Sequence, residues 1–275
     1  MLNIGVMSNL HADGRNTDVV ADFGLTCCQV VSWNMELCTL DIARKCKAAA
    51  HEKGVHISAF WGGDPGPAVW DFIDGPITLG LVPPEYRWVR IQALKQWVDF
   101  AVELGAPALI THCGFIPESP AYPDYAPTRH AVAQVAKYCK SKGIGFWFET
   151  GQETPVTLLR LIQDLEASDK LDNLGINLDP ANLIMYGRGN PIDSLDVFGR
   201  YVKCIHAKDG VYPTNGRELG REVRVGTGKV NFPEFIKKLR DIGFTGDFII
   251  EREISGEQQR LDIAQTVNDL KRWLS

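Results

Sequence analysis

Lys140-Ser141-Lys142-Gly143-Ile144-Gly145-Phe146-Trp147-Phe148-Glu149 closes a helical pattern, turns on a glycine, runs through an apolar strand and stops on a carboxylate. Upstream, Val132, Val135, Ala136 and Cys139 share one face of a 3.6-residue period, so the segment before Gly143 reads as an amphipathic helix. A glycine past the last turn supplies the left-handed residue with which helices commonly end. The same grammar recurs at Gly54-Val55, Gly105-Ala106 and Gly243-Phe244. Extending it along the chain gives strands over residues 3–8, 25–31, 55–61, 107–112, 144–149, 174–179, 202–206 and 247–251. Helical spacing lies between them, as in Val89, Ala93, Trp97, Phe100 and Leu104, and in Phe232, Phe235, Ile236 and Leu239. The helix-to-strand corners are short, whereas the strand-to-helix connections over 62–84, 114–127 and 208–231 are long. Near-continuously apolar strands with elaborated loops at one end predict an α/β fold, a (β/α)8 TIM barrel, as a single catalytic domain over residues 1–275. A doubly wound sheet fits less well. Its dinucleotide fingerprint would have to be Gly226-Thr227-Gly228, where the third glycine falls on Asn231.

The 275 residues are 45% hydrophobic and 23% charged with a formal net charge of −5, which excludes a disordered chain and disfavours nucleic acid as a partner. No apolar run is long enough for a membrane helix, and Met1-Leu2-Asn3-Ile4-Gly5-Val6 carries no basic leader, so a cytoplasmic location is expected. The seven cysteines include no Cys-x-x-Cys pair and read as small buried hydrophobes.

In a barrel the last residue of each strand faces the mouth. Four successive predicted strands end Phe148-Glu149, Leu178-Asp179, Ile205-His206 and Ile250-Glu251. Taken singly, Asp179 before Pro180 suits a helix cap and His206 suits a satisfied core histidine. Together, on strands about 4.8 Å apart, three carboxylates and an imidazole converge, and a divalent cation is the simplest compensation for the gathered negative charge. The donor set suits Mn2+, Mg2+ or Co2+, with Zn2+ also admissible. Glu253 shares the strand face of Glu251, which is the preferred ligand of the two.

Phe148-Glu149, Leu178-Asp179-Pro180-Ala181-Asn182-Leu183, Ile205-His206-Ala207-Lys208-Asp209-Gly210 and Gly226-Thr227-Gly228-Lys229-Val230-Asn231-Phe232, followed by Gly243-Phe244-Thr245-Gly246 leading into Ile250-Glu251, resemble the sugar phosphate isomerase/epimerase group of xylose-isomerase-like barrels. That group includes ketose 3-epimerases, hydroxypyruvate isomerase and inosose dehydratase. The resemblance spans nearly the whole chain. It implies that Glu149, Asp179, His206 and Glu251 hold one divalent metal, Mn2+ before the others, and that Glu149 and Glu251 form the acid/base pair. One departure stands out: some ketose epimerases carry a histidine where this chain has Asn182.

A metal-held hydroxycarbonyl compound is acidic between its two oxygens, because the cation stabilises the enediolate. One glutamate can remove a proton and the other return it, giving epimerisation or isomerisation; expulsion of a β-hydroxyl instead gives an inosose-type dehydratase. His112, Asn182 and Lys208 are candidate substrate contacts. Their plainer readings are a core histidine, a helix-capping asparagine and a surface lysine paired with Asp209. Trp33 and Trp61 suit either an apolar wall for a sugar ring or plain core, and Arg217, Arg221 and Arg224 suit a solvated loop better than a phosphate clamp. The expected partner is a small sugar or hydroxycarbonyl substrate, with homo-oligomer formation left open. From other classes, a multimetal phosphodiesterase of the endonuclease IV type is an alternative whose cluster uses more histidines than the two, His112 and His206, that this chain's six place at predicted strand ends, and a retaining glycosidase draws its carboxylates from other strand ends.

Overall fold

The computed structural model describes residues 3–275; Met1 and Leu2, on which the leader reading began, lie outside the described residues. The strands are β1 (Ile4–Asn9), β2 (Cys27–Ser32), β3 (His56–Gly62), β4 (Ala108–Thr111), β5 (Gly145–Glu149), β6 (Leu174–Leu178), β7 (Val202–Ala207), a hairpin β8 (Asp209–Val211) and β9 (Arg221–Val223), and β10 (Asp247–Ile250). Between them run α1 (Asp18–Asp22), α2 (Leu40–Glu52), α3 (Gly75–Thr78), α4 (Pro84–Leu104), α5 (Tyr125–Ser141), α6 (Pro155–Asp169), α7 (Pro180–Met185), α8 (Pro191–Phe198), α9 (Phe232–Asp241) and α10 (Glu257–Leu274). Eight parallel strands close into a barrel in the order β1-β10-β7-β6-β5-β4-β3-β2. Val6 seals the ring, in register with Ile250 on one side and Cys28 on the other. All eight predicted strands are present, with ends moved by a residue or two.

The period of two sorts the strand residues. Outward-facing Val30, Phe60, Leu109, Phe148 and Ile205 join the main core between sheet and helices. There Phe60 meets Trp97 and Phe100 at ring separations of 5.0 and 4.9 Å, each such side chain contributing roughly 1.5–3 kcal/mol by burial. The inward face is lean at the N-terminal end, where Trp147 fills the barrel between Gly145 and Gly175; a Cβ on either would fall 2.6 or 2.5 Å from the indole. At the corner into β5, Gly143 takes the left-handed conformation (φ 78°), as its sequence position predicts.

The long connection after β7 holds the β8/β9 hairpin, which the sequence pattern did not reveal because its two strands are only three residues each. Asp209 anchors it by accepting from the backbone N–H groups of Gly210 (2.8 Å), Gly226 (3.0 Å), Gly228 (2.9 Å) and Val230 (3.1 Å). The Gly226-Thr227-Gly228 motif thus wraps a carboxylate of its own chain. No described helix is long and apolar enough to cross a membrane.

Candidate metal centre

The four strand-end residues meet. Glu149, Asp179, His206 and Glu251 each offer a ligand atom, and the four atoms lie within 4.8 Å of one another. His206 Nδ1 is 3.0 Å from Glu149 Oε1, 3.0 Å from Glu251 Oε2 and 3.8 Å from Asp179 Oδ2. Its Nε2 is 2.8 Å from the side-chain oxygen of Gln29, so that edge is the donor and Nδ1 faces the carboxylates.

The two oxygens of Asp179 have different surroundings. Oδ1 caps α7 by accepting from Asn182 N–H (2.9 Å), and Pro180 opens the helix, where a missing N–H costs nothing. Oδ2 is buried and accepts no hydrogen bond among the described residues. It faces Lys208 Nζ at 3.5 Å and His206. A fully buried carboxylate oxygen without a hydrogen bond is costly unless a cation faces it.

Lys208 departs from its plainer reading. Only 2% exposed, it leaves Asp209 to the hairpin and places Nζ 3.0 Å from Glu253 Oε2, 3.4 Å from Glu251 Oε2 and 3.5 Å from Asp179 Oδ2. Burial works against its charge, but Glu251, Glu253 and Asp179 outweigh burial and hold the ammonium well above its usual range. The same balance raises His206, where Glu251 and Glu149 overcome burial. Burial pushes Glu149 and Glu251 up, yet His112 and His206 bring Glu149 below the usual carboxylate range, and Lys208 and His206 do so for Glu251. Asp179 stays raised, because burial exceeds the pull of Lys208. A proton on His206 Nδ1 and a divalent cation compete for one point, so metal uptake at such a site releases a proton.

His112 is buried, with Nε2 3.4 Å from Glu149 Oε2 and Nδ1 without a hydrogen-bond partner among the described residues. Trp61 Nε1 donates to the same oxygen. Asn182 Nδ2 reaches Glu149 Oε1 (3.4 Å) and the Thr150 carbonyl (3.2 Å), so its side chain orients the site while Asp179 does the capping. Glu253 lies outside the four-residue group, paired with Lys208. The three arginines form no clamp: Arg224 binds Asp269 (3.1 Å), and Arg217 and Arg221 are exposed.

Above the cluster lies a cavity of about 410 Å³ lined by Trp33, Trp61, Trp70, His112, Glu149 and Tyr186 among others. Trp33 lies against Gly63, where a Cβ would fall 2.3 Å from its ring, and meets Trp61 at 5.0 Å and Trp70 at 6.1 Å. Sequence reasoning missed Gln29 and Trp70. A polar residue between Cys27 and Val31 on the inward face was a usable signal for the first; only the length of the connection after β3 pointed toward the second. A second close group, Cys27, His56 and Asp247, sits at the strands' N-terminal ends, where His56 is exposed and pairs with Asp247 at 3.1 Å.

A closed parallel barrel with carboxylates and an imidazole converging at the strand C-terminal ends defines a class of proteins that do their chemistry in the barrel mouth. Residues 17–274 match the family described as xylose isomerase-like TIM barrel, and the chain belongs to that family. The crystal structure of a xylose isomerase domain protein from Planctomyces limnophilus superposes with a TM-score of 0.92 at 34% identity, covering 99% of this chain and 97% of that one. A D-tagatose 3-epimerase-like protein shares the fold at a TM-score of 0.73 and 18% identity, over 99% of this chain and 97% of the other. An uncharacterised protein of Methanocaldococcus jannaschii is 25% identical over 182 residues, which span 61% of this chain and 58% of the relative's length.

Proposed function

We propose that this protein is a metal-dependent isomerase or epimerase of sugar-class hydroxycarbonyl compounds. The observation that carries the reading is the convergence of Glu149, Asp179, His206 and Glu251 within 4.8 Å, with Oδ2 of buried Asp179 accepting no hydrogen bond among the described residues. Those four residues would hold one divalent ion, and three oxygens with one nitrogen make Mn2+ the first to test, with Mg2+, Co2+ and Zn2+ after it. When bound, such an ion supplies the positive charge that stabilises an enediolate as a proton leaves the neighbouring carbon.

The chain's own groups supply the rest. Glu149 and Glu251 both bear on His206 and both line the cavity, so one can take a proton from a substrate carbon and the other return it. Trp61 and His112 hold one oxygen of Glu149, and Lys208 holds Glu251, which fixes the two carboxylates against rotation. His112 lines the cavity beside Glu149 and is the residue we assign to a substrate hydroxyl; Asn182 positions Glu149 beside it.

The test is elemental analysis of protein purified without chelator, together with deuterium incorporation from D2O into a panel of ketoses and hydroxy-ketoacids. Stoichiometric metal with solvent deuterium in one substrate is the expected result. Failure to retain metal after reconstitution with each of the four ions would remove the reading.

A further inference from the structure

The charge lining the cavity, and the absence of a spare cation there, bears on what can enter. The wall above the cluster presents Trp33, Trp61, Trp70 and Tyr186 together with Met185 and Leu219, and its charged members are Glu149, Glu251 and Glu253. Among the described residues no lysine or arginine lines it. Lys208 lies buried beside the cluster, but its ammonium is already shared by three carboxylates at 3.0, 3.4 and 3.5 Å. Three arginines around the barrel mouth are committed elsewhere, and Arg217 and Arg221 are exposed and do not line the cavity. Arg188 lies over the Phe115 ring at 5.6 Å and pairs with Glu118, Arg224 binds Asp269, and Arg252 binds Glu222 at 3.0 Å and Asp262 at 2.8 Å. Arg217 is exposed, with its backbone carbonyl tied to Phe72 N–H.

Glu149, Glu251 and Glu253 line the cavity itself, and the one buried ammonium beside them faces Asp179, Glu251 and Glu253. A phosphate dianion or a carboxylate brought into this cavity meets Glu149, Glu251 and Glu253 with no lysine or arginine of the wall to pair with it. The aromatic faces instead suit the C–H face of an uncharged ring or chain.

Resting on the proton-transfer reading above, we infer that the substrate is an uncharged carbohydrate ketone or aldehyde, bearing neither phosphate nor carboxylate, whose less polar face packs on Trp33, Trp61 and Trp70. Discrimination against phosphorylated sugars is built into the cavity by the engagement of Lys208 with Glu253, Glu251 and Asp179.

Because three tryptophans line the cavity, binding can be read without turnover. The metal-loaded full chain is titrated with fructose, psicose and tagatose and with their 6-phosphates at matched ionic strength, following tryptophan emission, while deuterium exchange is run on the same panel. At least one free ketose is expected to change the emission saturably, with its phosphate about 100-fold weaker. Leu219→Arg, which adds a cation to the wall, is expected to narrow that gap by about tenfold, and Arg217→Ala to leave it unchanged. Tighter or equal binding of a phosphate, or no response to any free ketose, overturns the inference. Exchange confined to phosphorylated sugars overturns it while leaving the proton-transfer reading standing. Exchange into no member removes the proton-transfer reading, and the emission ratio alone then decides the inference.

Discussion

The two halves of the barrel mouth are built from different chemistry. From β5 through β6 and β7 to β10, the strand ends carry Glu149, Asp179, His206 and Glu251, packed within 4.8 Å and backed by Lys208. From β2 through β3 to β4 the corresponding region carries Trp33, Trp61 and His112, with Trp70 brought over from the following connection. One half concentrates charge that needs a partner; the other offers rings that need only a surface. They meet at Glu149, whose Oε1 belongs to the charged half through His206 and whose Oε2 belongs to the aromatic half through Trp61 and His112. On the proposed function, the charged half would set which bond to hydrogen breaks, and the aromatic half which molecule is held there.

The sharpest way to break this division is at the shared residue. Glu149→Gln keeps the volume and the hydrogen bond to Trp61 but removes the group assigned to proton transfer, so turnover should fall by roughly 10²–10⁴-fold. The melting temperature of the metal-free protein should fall modestly while the chain stays folded, since His112 and His206 favour the charged carboxylate in the folded protein. Steady-state kinetics beside a thermal melt decide it. Wild-type turnover in the variant would return Glu149 to a purely structural role and dissolve the comparison.

A step smaller is Gln29, one layer below the charged half. Its oxygen accepts from His206 Nε2 at 2.8 Å, and its amide group lies 3.4 Å from Asn177 Oδ1. Gln29→Leu leaves the imidazole free to rotate or to take the other tautomer, and metal affinity should drop by about 10–100-fold. Isothermal titration with Mn2+ measures this directly. Unchanged affinity would mean that the carboxylates alone orient His206.

What the sequence made legible follows the same line. Glu149, Asp179, His206 and Glu251 could be read because each terminates an apolar run, and a barrel aims such termini at one point. The eight strands could be read because β-branched and aromatic runs alternate with helical spacing and glycine corners. Lys208 was harder: adjacency to Asp209 suggested a surface pair, yet Asp209 is consumed by four backbone N–H groups and the lysine turns inward to the acids. Trp70 could not be placed at all. No periodicity governs the connection from β3 to α4, and what brings the indole over the mouth is tertiary packing on Trp33 and His112.

The smallest expected effect tests the aromatic half through that residue. Trp70 is 41% exposed and contributes no group to the cluster, meeting His112 edge-on at 5.2 Å and Trp33 at 6.1 Å. Trp70→Ala removes a packing face equally from bound substrate and from the transition state, which is uniform binding, so KM should rise about tenfold with kcat nearly unchanged. Metal affinity should stay at the wild-type value, because no ligand or ligand partner is touched. A fall in kcat without a change in KM would break the comparison from the other side: it would mean that the indole acts through His112 on the position of Glu149, and that the aromatic half takes part in the proton transfer itself.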